Sequence, residues 1–251
     1  LYNRSKSAFQ TNASRYFKKL KKDGINTIYF HVVPCNDAIY PSKYLKWSSY
    51  MFESAPDYDP LEILVETAHK NNMTLHAWLN PYRKKMGVSY NPGAASSLNR
   101  INRIVKEIIT NYDVDGIQFD DYFYPTEDEN FDKKQYQAYI EKYGKENSMR
   151  LDNWRMQNVN TLICKVYRTI KSVDSSIEFG ISPQGNIGNN DGLYADVKSW
   201  CTCKGFADYI CPQIYFSLEN PALTFEDCLN SWTSLDFDEN VKLYVGLGGY
   251  K

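Results

Sequence analysis

The stretch Asp115-Gly116-Ile117-Gln118-Phe119-Asp120-Asp121 decides the fold. Ile117 and Phe119 alternate with Gln118 and Asp120, the period-two pattern of a strand with one apolar face. Before it, Ile101, Ile104, Val105, Ile108 and Ile109 form a helical stripe. After it comes a polar excursion to about residue 150, and then Val159, Leu162, Ile163, Val166 and Ile170 mark a long helix. Working outward, the same unit recurs, with strands expected at residues 25–33, 73–79, 115–121, 177–182, 208–215 and 241–247. A helix opens at Asp59-Pro60-Leu61-Glu62, with Asp59 as N-cap, Pro60 at the first helical position and Glu62 as capping-box partner. Another helical segment is expected at residues 14–22.

Strands that alternate with helices argue for an α/β fold with a parallel sheet. No strand is followed by the glycine-rich phosphate loop that a doubly wound nucleotide-binding sheet carries. The expected fold is therefore a (β/α)8 TIM barrel, as a single domain over residues 1–251. Six strands fall two short of eight, so the first and last strands are expected to be missing from this chain. Contacts with other chains are then expected through the open barrel edges.

Composition narrows the function. The 251 residues carry a formal net charge of −1, which gives no reason to expect nucleic acid or an anionic membrane as partner. No apolar run is long enough for a membrane span. The chain begins at Leu1, so a removed upstream segment is compatible with it. The 21 Tyr suit sugar stacking and core filling alike. The six Cys do not have zinc-knuckle or redox spacing and are expected to be mostly free, small core residues. No motif implies a cofactor, and no metal site is expected.

Alternation also assigns faces. Ile28, Phe30 and Val32 are expected to face helices, which turns Tyr29 and His31 inward. Leu75, Ala77 and Leu79 leave His76, Trp78 and Asn80 inward. Ile117 and Phe119 leave Gln118, Asp120 and Tyr122 inward, and Ile210, Pro212 and Ile214 leave Cys211, Gln213 and Tyr215 inward. His31, Asn80, Asp120, Tyr122, Gln213 and Tyr215 then converge at the C-terminal rim, where barrel active sites lie. A carboxyl at the end of an apolar strand is costly to bury unless paired or used. The bland alternative for Asp120 is a helix N-cap or a structural salt bridge.

At Asp115-Gly-Ile-Gln-Phe-Asp-Asp-Tyr-Phe-Tyr-Pro125 the chain resembles the glycosyl-hydrolase-like family of bacterial barrel proteins described as family-10-like. His31-Val-Val-Pro, Asp37-Ala-Ile-Tyr-Pro-Ser, Ala77-Trp-Leu-Asn-Pro-Tyr-Arg83, Gly180-Ile-Ser-Pro-Gln-Gly-Asn186 and Tyr209-Ile-Cys-Pro-Gln-Ile-Tyr215 are similar to it too. Further segments of similarity extend over nearly the whole chain, in order. The resemblance implies a barrel, an extracytoplasmic bacterial protein, and glycosidase activity on cell-wall or other amino-sugar polysaccharide. The sequence departs from the family in carrying Val33 where an Arg is usual, and in a short loop between residues 48 and 57. The 115–125 stretch also echoes the chitinase-type strand, but Tyr122 stands where the acid Glu would be, which excludes that mechanism.

Glycoside cleavage normally requires two carboxyl groups. Asp120 is the first candidate and Asp121 the nearest second, with Asp37 and Glu219 further off. Cleavage assisted by a substrate N-acetyl group requires one acid only, with Tyr122 and Tyr215 beside the acetamido group. Asn80, Tyr82, Arg83, Gln184, Asn186 and Gln213 are candidates for sugar hydroxyls, with His31 beside them, and Trp78 and Tyr40 for stacking. Each has a packing or loop-capping alternative. Two other functions fit less well: a carbohydrate-binding barrel without turnover, and a metal-dependent deacetylase using His31, His76 and Asp120. The deacetylase lacks any H-x-x-H spacing.

Overall fold

The structure is a computed structural model that describes residues 1–249. Its centre is a six-stranded sheet in which every pairing is parallel and the spatial order follows the chain. The strands are β1 (Thr27–Val33), β2 (Thr74–Leu79), β3 (Gly116–Phe119), β4 (Glu178–Ile181), β5 (Tyr209–Ile210) and β6 (Lys242–Leu243). The connections contain α1 (Lys6–Lys22) before β1, then α2 (Pro60–Lys70), α3 (Ala95–Asn111), α4 (Lys133–Tyr143), α5 (Leu151–Val173), α6 (Val197–Thr202) and α7 (Phe225–Thr233). β3 to β6 are shorter than the alternation suggests. Their C-terminal residues leave the ladder to form the rim, where Gln213 still bridges Gln184 and Gly246.

The sheet is strongly curled. Adjacent strands lie ~4.8 Å apart, so side chains on β2 and β5 would stand ~14 Å apart on a flat sheet. Instead the Tyr209 hydroxyl lies 2.9 Å from His76 Nδ1 and donates to Gln118 Oε1 at 3.3 Å. The Tyr29 ring on β1 comes within 6.3 Å of Tyr209. Leu75, Ala77, Leu79, Ile117, Phe119, Phe179, Ile181 and Ile210 are buried in the core on the opposite, helix-facing side. This is the alternation of a barrel wall. The edges β1 and β6 are not paired with each other among the described residues. A cavity of about 690 Å³ lies between them, lined by Thr27 and Tyr29 from one edge and Tyr244 and Val245 from the other.

The strand starts are tied from below. The Asp115 carboxyl accepts from the Leu75 N–H at 2.7 Å, and the Asp208 carboxyl from the Phe179 N–H at 2.6 Å. Each acid at the head of one strand thus satisfies a backbone donor of its neighbour. Asp59 caps α2 as expected, accepting from Leu61 and Glu62 N–H, and also takes the Tyr112 hydroxyl at 2.6 Å.

Three local differences from the sequence reading have physical causes. α1 starts eight residues before the expected position, because Phe9, Ala13 and Phe17 form its buried face. The polar excursion after β3 contains α4, which buries none of its residues and so shows no apolar stripe. It is anchored from outside: Tyr136 and Tyr139 pack on Trp154, and Arg155 forms a fully enclosed ion pair with Asp132 at 2.7 Å. All six cysteines are free, but they are not all core residues: Cys35, Cys201 and Cys228 are buried, and Cys203 is exposed.

Gly180 faces the barrel interior, and a Cβ there would lie 1.8 Å from the Tyr209 ring. Gly180→Ala is therefore expected to destabilise the domain by roughly 1–3 kcal/mol through overpacking. Urea unfolding reads this as a lower midpoint at unchanged slope. An unaltered midpoint would mean that Tyr209 does not fill the interior.

Candidate active site

Because all strands are parallel, residues that follow each strand gather at one rim. Asp120 is the first residue past β3 and is 3 % exposed. Its Oδ1 accepts one long hydrogen bond, 3.4 Å, from the Tyr122 N–H. Burial, then the charge of Asp121, pushes its carboxyl up to about 8. The Tyr122 N–H, Arg83 and the Trp78 indole pull the other way without cancelling this. Asp120 therefore holds its proton at neutral pH in a pocket that offers it little compensation.

Around it, the rim of β1 and β2 presents buried polar atoms without partners. His31 stacks face to face on Trp78, with 3.9 Å between centroids. Burial first, and Arg83 second, lowers the His31 imidazole to about 4, so the ring is neutral. His31 Nε2 and Asn80 Oδ1 are buried without a hydrogen-bond partner, and the Trp78 indole N–H, also buried, acts on Asp120 without making a bond of normal geometry. Asn80 is fixed by donation from Nδ2 to the Pro34 carbonyl at 2.8 Å. Arg83 lies over the Tyr122 ring at 3.6 Å and supplies a cation near Asp120. Buried polar groups are normally satisfied, so a local set of exceptions marks a place where water or a ligand completes the bonding.

The β4–β5 side is built differently. Asp121, 7 % exposed, accepts from the Gln184 side chain. β3 ends at Phe119, so alternation no longer turns Asp121 away from the rim. Gln184, Asn186, Gln213 and Tyr215 line one pocket of about 350 Å³, together with Asn189, Phe216 and Asn220. Gln213 donates to the Ser182 carbonyl at 3.0 Å, and Asn186 accepts from the Gly188 N–H. The loop is pinned by Asn190, fully buried, whose amide reaches the carbonyls of Gln184, Asn186 and Ile187 and whose Oδ1 takes the Gln184 N–H. From α7, the Trp232 indole donates to the Gly185 carbonyl at 2.6 Å.

Asp37 follows β1 and opens the short strand Asp37–Ala38 paired with Lys46–Trp47, where its Oδ1 accepts from the Cys35 N–H at 3.1 Å, beside Tyr50 and Lys84. Four residues lie away from the mouth. Tyr40 is enclosed against α3, its hydroxyl donating to Glu107 at 3.1 Å, so it offers no ring to a sugar. Tyr82 is fully buried, with its hydroxyl enclosed and without a hydrogen-bond partner. Glu219 is exposed on the loop beyond Tyr215. His76 is level with Tyr29 rather than His31, one pleat below Trp78, and is engaged by Tyr209. Among the described residues no three His, Cys, Asp or Glu side chains are disposed to hold a metal ion. Sequence reasoning missed Asn190, Phe216, Asn220 and Lys84, which are loop residues without periodic signature.

A curled parallel sheet whose strands follow the chain in order, with helices against its outer face, is the wall of a (β/α)-barrel. Comparison with known proteins agrees. The model of the family "Glycosyl hydrolase-like 10" matches residues 3–89 and 83–251. Glycosyl hydrolase YngK of Bacillus subtilis is 33% identical over 280 residues, covering 92% of this chain and 54% of its own length. Glycosyl hydrolase DigH of Escherichia coli K12 is 34% identical over 286 residues, with 92% and 64% covered. The chain thus belongs to the glycosyl hydrolase-like 10 family, and it spans between about half and two thirds of these curated relatives. Both alignments are longer than the chain's 251 residues, so the relatives carry insertions within the matched region. Among solved structures, the glycoside hydrolase domain of PgaB (BpsB) from Bordetella bronchiseptica has a TM-score of 0.59 at 10% identity, covering 97% of this chain and 80% of that one. The GH20 exo-β-N-acetylglucosaminidase of Vibrio harveyi scores 0.55 at 12% identity, covering 96% and 48%. At such identities these two show the shared fold.

Asp120 also sets a pH dependence of stability. Its carboxyl ionises near 3.8 in the unfolded chain and near 8 in the folded one. Between those values the folded state holds the extra proton, so this group makes stability fall as pH rises through that window. Asp120→Asn removes the ionisable group and keeps the shape. The variant is expected to melt higher than wild type at about pH 8 and to converge with it at about pH 4. Parallel melting curves at both pH values would show that Asp120 is not held protonated.

Proposed function

We propose that this domain is a glycoside hydrolase that cleaves an amino-sugar polysaccharide, with bacterial cell-wall glycan outside the cytoplasm as its substrate. One observation carries the reading: a carboxyl that keeps its proton at neutral pH, buried at the barrel rim among polar atoms with no partner in the chain. A proton donor to a glycosidic oxygen requires that state, since the leaving alkoxide must be protonated as the bond breaks. Asp120 fills the acid role. Asp121, the adjacent carboxyl, is the group to act on the other side of the reaction, oriented by Gln184. The neutral His31 ring, the Trp78 indole N–H and the Asn80 carbonyl provide donors and acceptors for sugar hydroxyls. Family membership supports glycoside hydrolysis, and the neighbour crystallised with N-acetylglucosamine motivates the choice of an amino sugar. No helix among the described residues is long and apolar enough to cross a membrane.

The test is product analysis with the full-length protein on purified cell-wall glycan, with and without stem peptides. Asp120→Asn is expected to lower turnover by at least about 100-fold, the range of general acid catalysis, while glycan binding persists. Asp121→Asn in parallel reads the second carboxyl. Wild-type turnover is expected to fall as pH rises through about 8, where Asp120 loses its proton. Full activity in Asp120→Asn removes Asp120 from the chemistry. Retained affinity with no new reducing ends in the wild type would instead make this a binding barrel.

A further inference from the structure

The rim has concave surface on both sides of the acid pair. In sheet order β3 lies between β2 and β4, so Asp120 and Asp121 sit at the middle of the visible rim. On the β4–β5 side is the pocket of about 350 Å³ whose lining is neutral: amides from Gln184, Asn186, Asn189, Gln213 and Asn220, with the rings of Tyr215 and Phe216. On the β1–β2 side is a second pocket, about 580 Å³, lined by Asn36, Asp37, Tyr50, Lys84 and Lys85 among others. Both volumes fall in the range of small-ligand sites. Lys84 and Lys85 belong to the two-stranded ribbon Arg83–Lys85 and Val88–Ser89, whose Arg83 covers Tyr122 and so connects this pocket to the acid pair. Asp121 connects to the other pocket through Gln184, which lines it. A cleft that ended at the acid pair would hold sugar on one side only.

We propose that the domain cleaves inside a glycan chain rather than from its end, with sugar units bound in both pockets and the scissile bond over Asp120 and Asp121. The amide-rich pocket takes an uncharged amino sugar, whose hydroxyl and acetamido groups match neutral donors and acceptors and whose apolar face matches the aromatic rings. The charged pocket takes the chain on the far side. This inference rests on the hydrolase reading given above.

Two measurements on the full-length protein test it. In Asp120→Asn, affinity for N-acetylglucosamine oligomers from di- to hexasaccharide is read by calorimetry. Affinity is expected to rise with length. Asn189→Ala and Lys84→Ala, both at exposed positions on opposite sides of the acids, are each expected to weaken hexasaccharide binding by roughly three- to tenfold, the size of one hydrogen bond. An effect from only one of the two overturns the two-sided cleft. In the wild type, the mean length of purified glycan strands is followed against reducing ends. An early collapse in length supports internal cleavage. Steady release of mono- or disaccharide from strands that stay long overturns it while leaving the hydrolase reading intact. No new reducing ends at all overturns both.

Discussion

The structure depends on one buried hydroxyl. Tyr209 reaches across the barrel interior to His76 Nδ1 and Gln118 Oε1, which belong to strands three and two places away in the sheet. It reaches there only because Gly180, on the intervening strand, leaves room for its ring, and Gly116 does the same for the His76 imidazole. A sheet of this size twists even without such contacts. With them, the C-terminal ends of β1 to β5 point toward a common centre. Residues more than a hundred positions apart, such as His31 and Gln184, can then share one rim.

The same sheet treats the acids at the two ends of one strand differently. Asp115 and Asp120 flank β3. Asp115 accepts a backbone N–H at 2.7 Å, lies 2.9 Å from a His69 ring nitrogen, and keeps 31 % of its side chain exposed. Asp120 has one hydrogen bond at 3.4 Å and almost no exposure. Burial without compensation favours the neutral carboxyl, so the chain stores a proton at its rim. A carboxyl with a raised folded-state pKa costs the folded state stability at neutral pH that an amide of the same shape would not.

Strand faces were legible because burial on a sheet has period two. Ile117 and Phe119 against Gln118 and Asp120 is a pattern that only one register satisfies, and His31, Trp78 and Asn80 followed by the same rule. Tyr40 and Tyr82 were not legible, because a loop has no period and a tyrosine suits a sugar and a core equally. Tyr40 was decided by Glu107, a partner sixty-seven residues away. α4 was missed for a related reason. A helix that buries no side chain has no apolar stripe to read, and its position comes from the Arg155–Asp132 pair and the Trp154 ring instead. Long-range polar pairing decides where loops go, and a single sequence does not display it.

The two sides of the rim differ in how firmly they are held. On the β4–β5 side, Asn190 ties three carbonyls, Trp232 and Cys228 both donate to the Gly185 carbonyl, and Gly185 packs so closely on Gln213 that a Cβ would lie 2.3 Å from its carbonyl oxygen. That pocket is set before any ligand arrives, so little ordering cost remains to be met on binding. The β1–β2 side ends in the ribbon from Arg83 to Ser89, where Lys84, Lys85, Met86 and Val88 are exposed and Gly87 turns at a φ of 69°. A ribbon this short gains little from its own pairing. Its attachment to the mouth includes the Arg83 guanidinium on the Tyr122 ring and the Tyr90 N–H to the Tyr82 carbonyl at 2.7 Å. Tyr82, enclosed at the root of the ribbon, thus serves the mouth indirectly, by holding the strand end from which Arg83 reaches Asp120. The two sides of the rim thus differ in what holds them, a dense set of hydrogen bonds on one and a short exposed ribbon on the other.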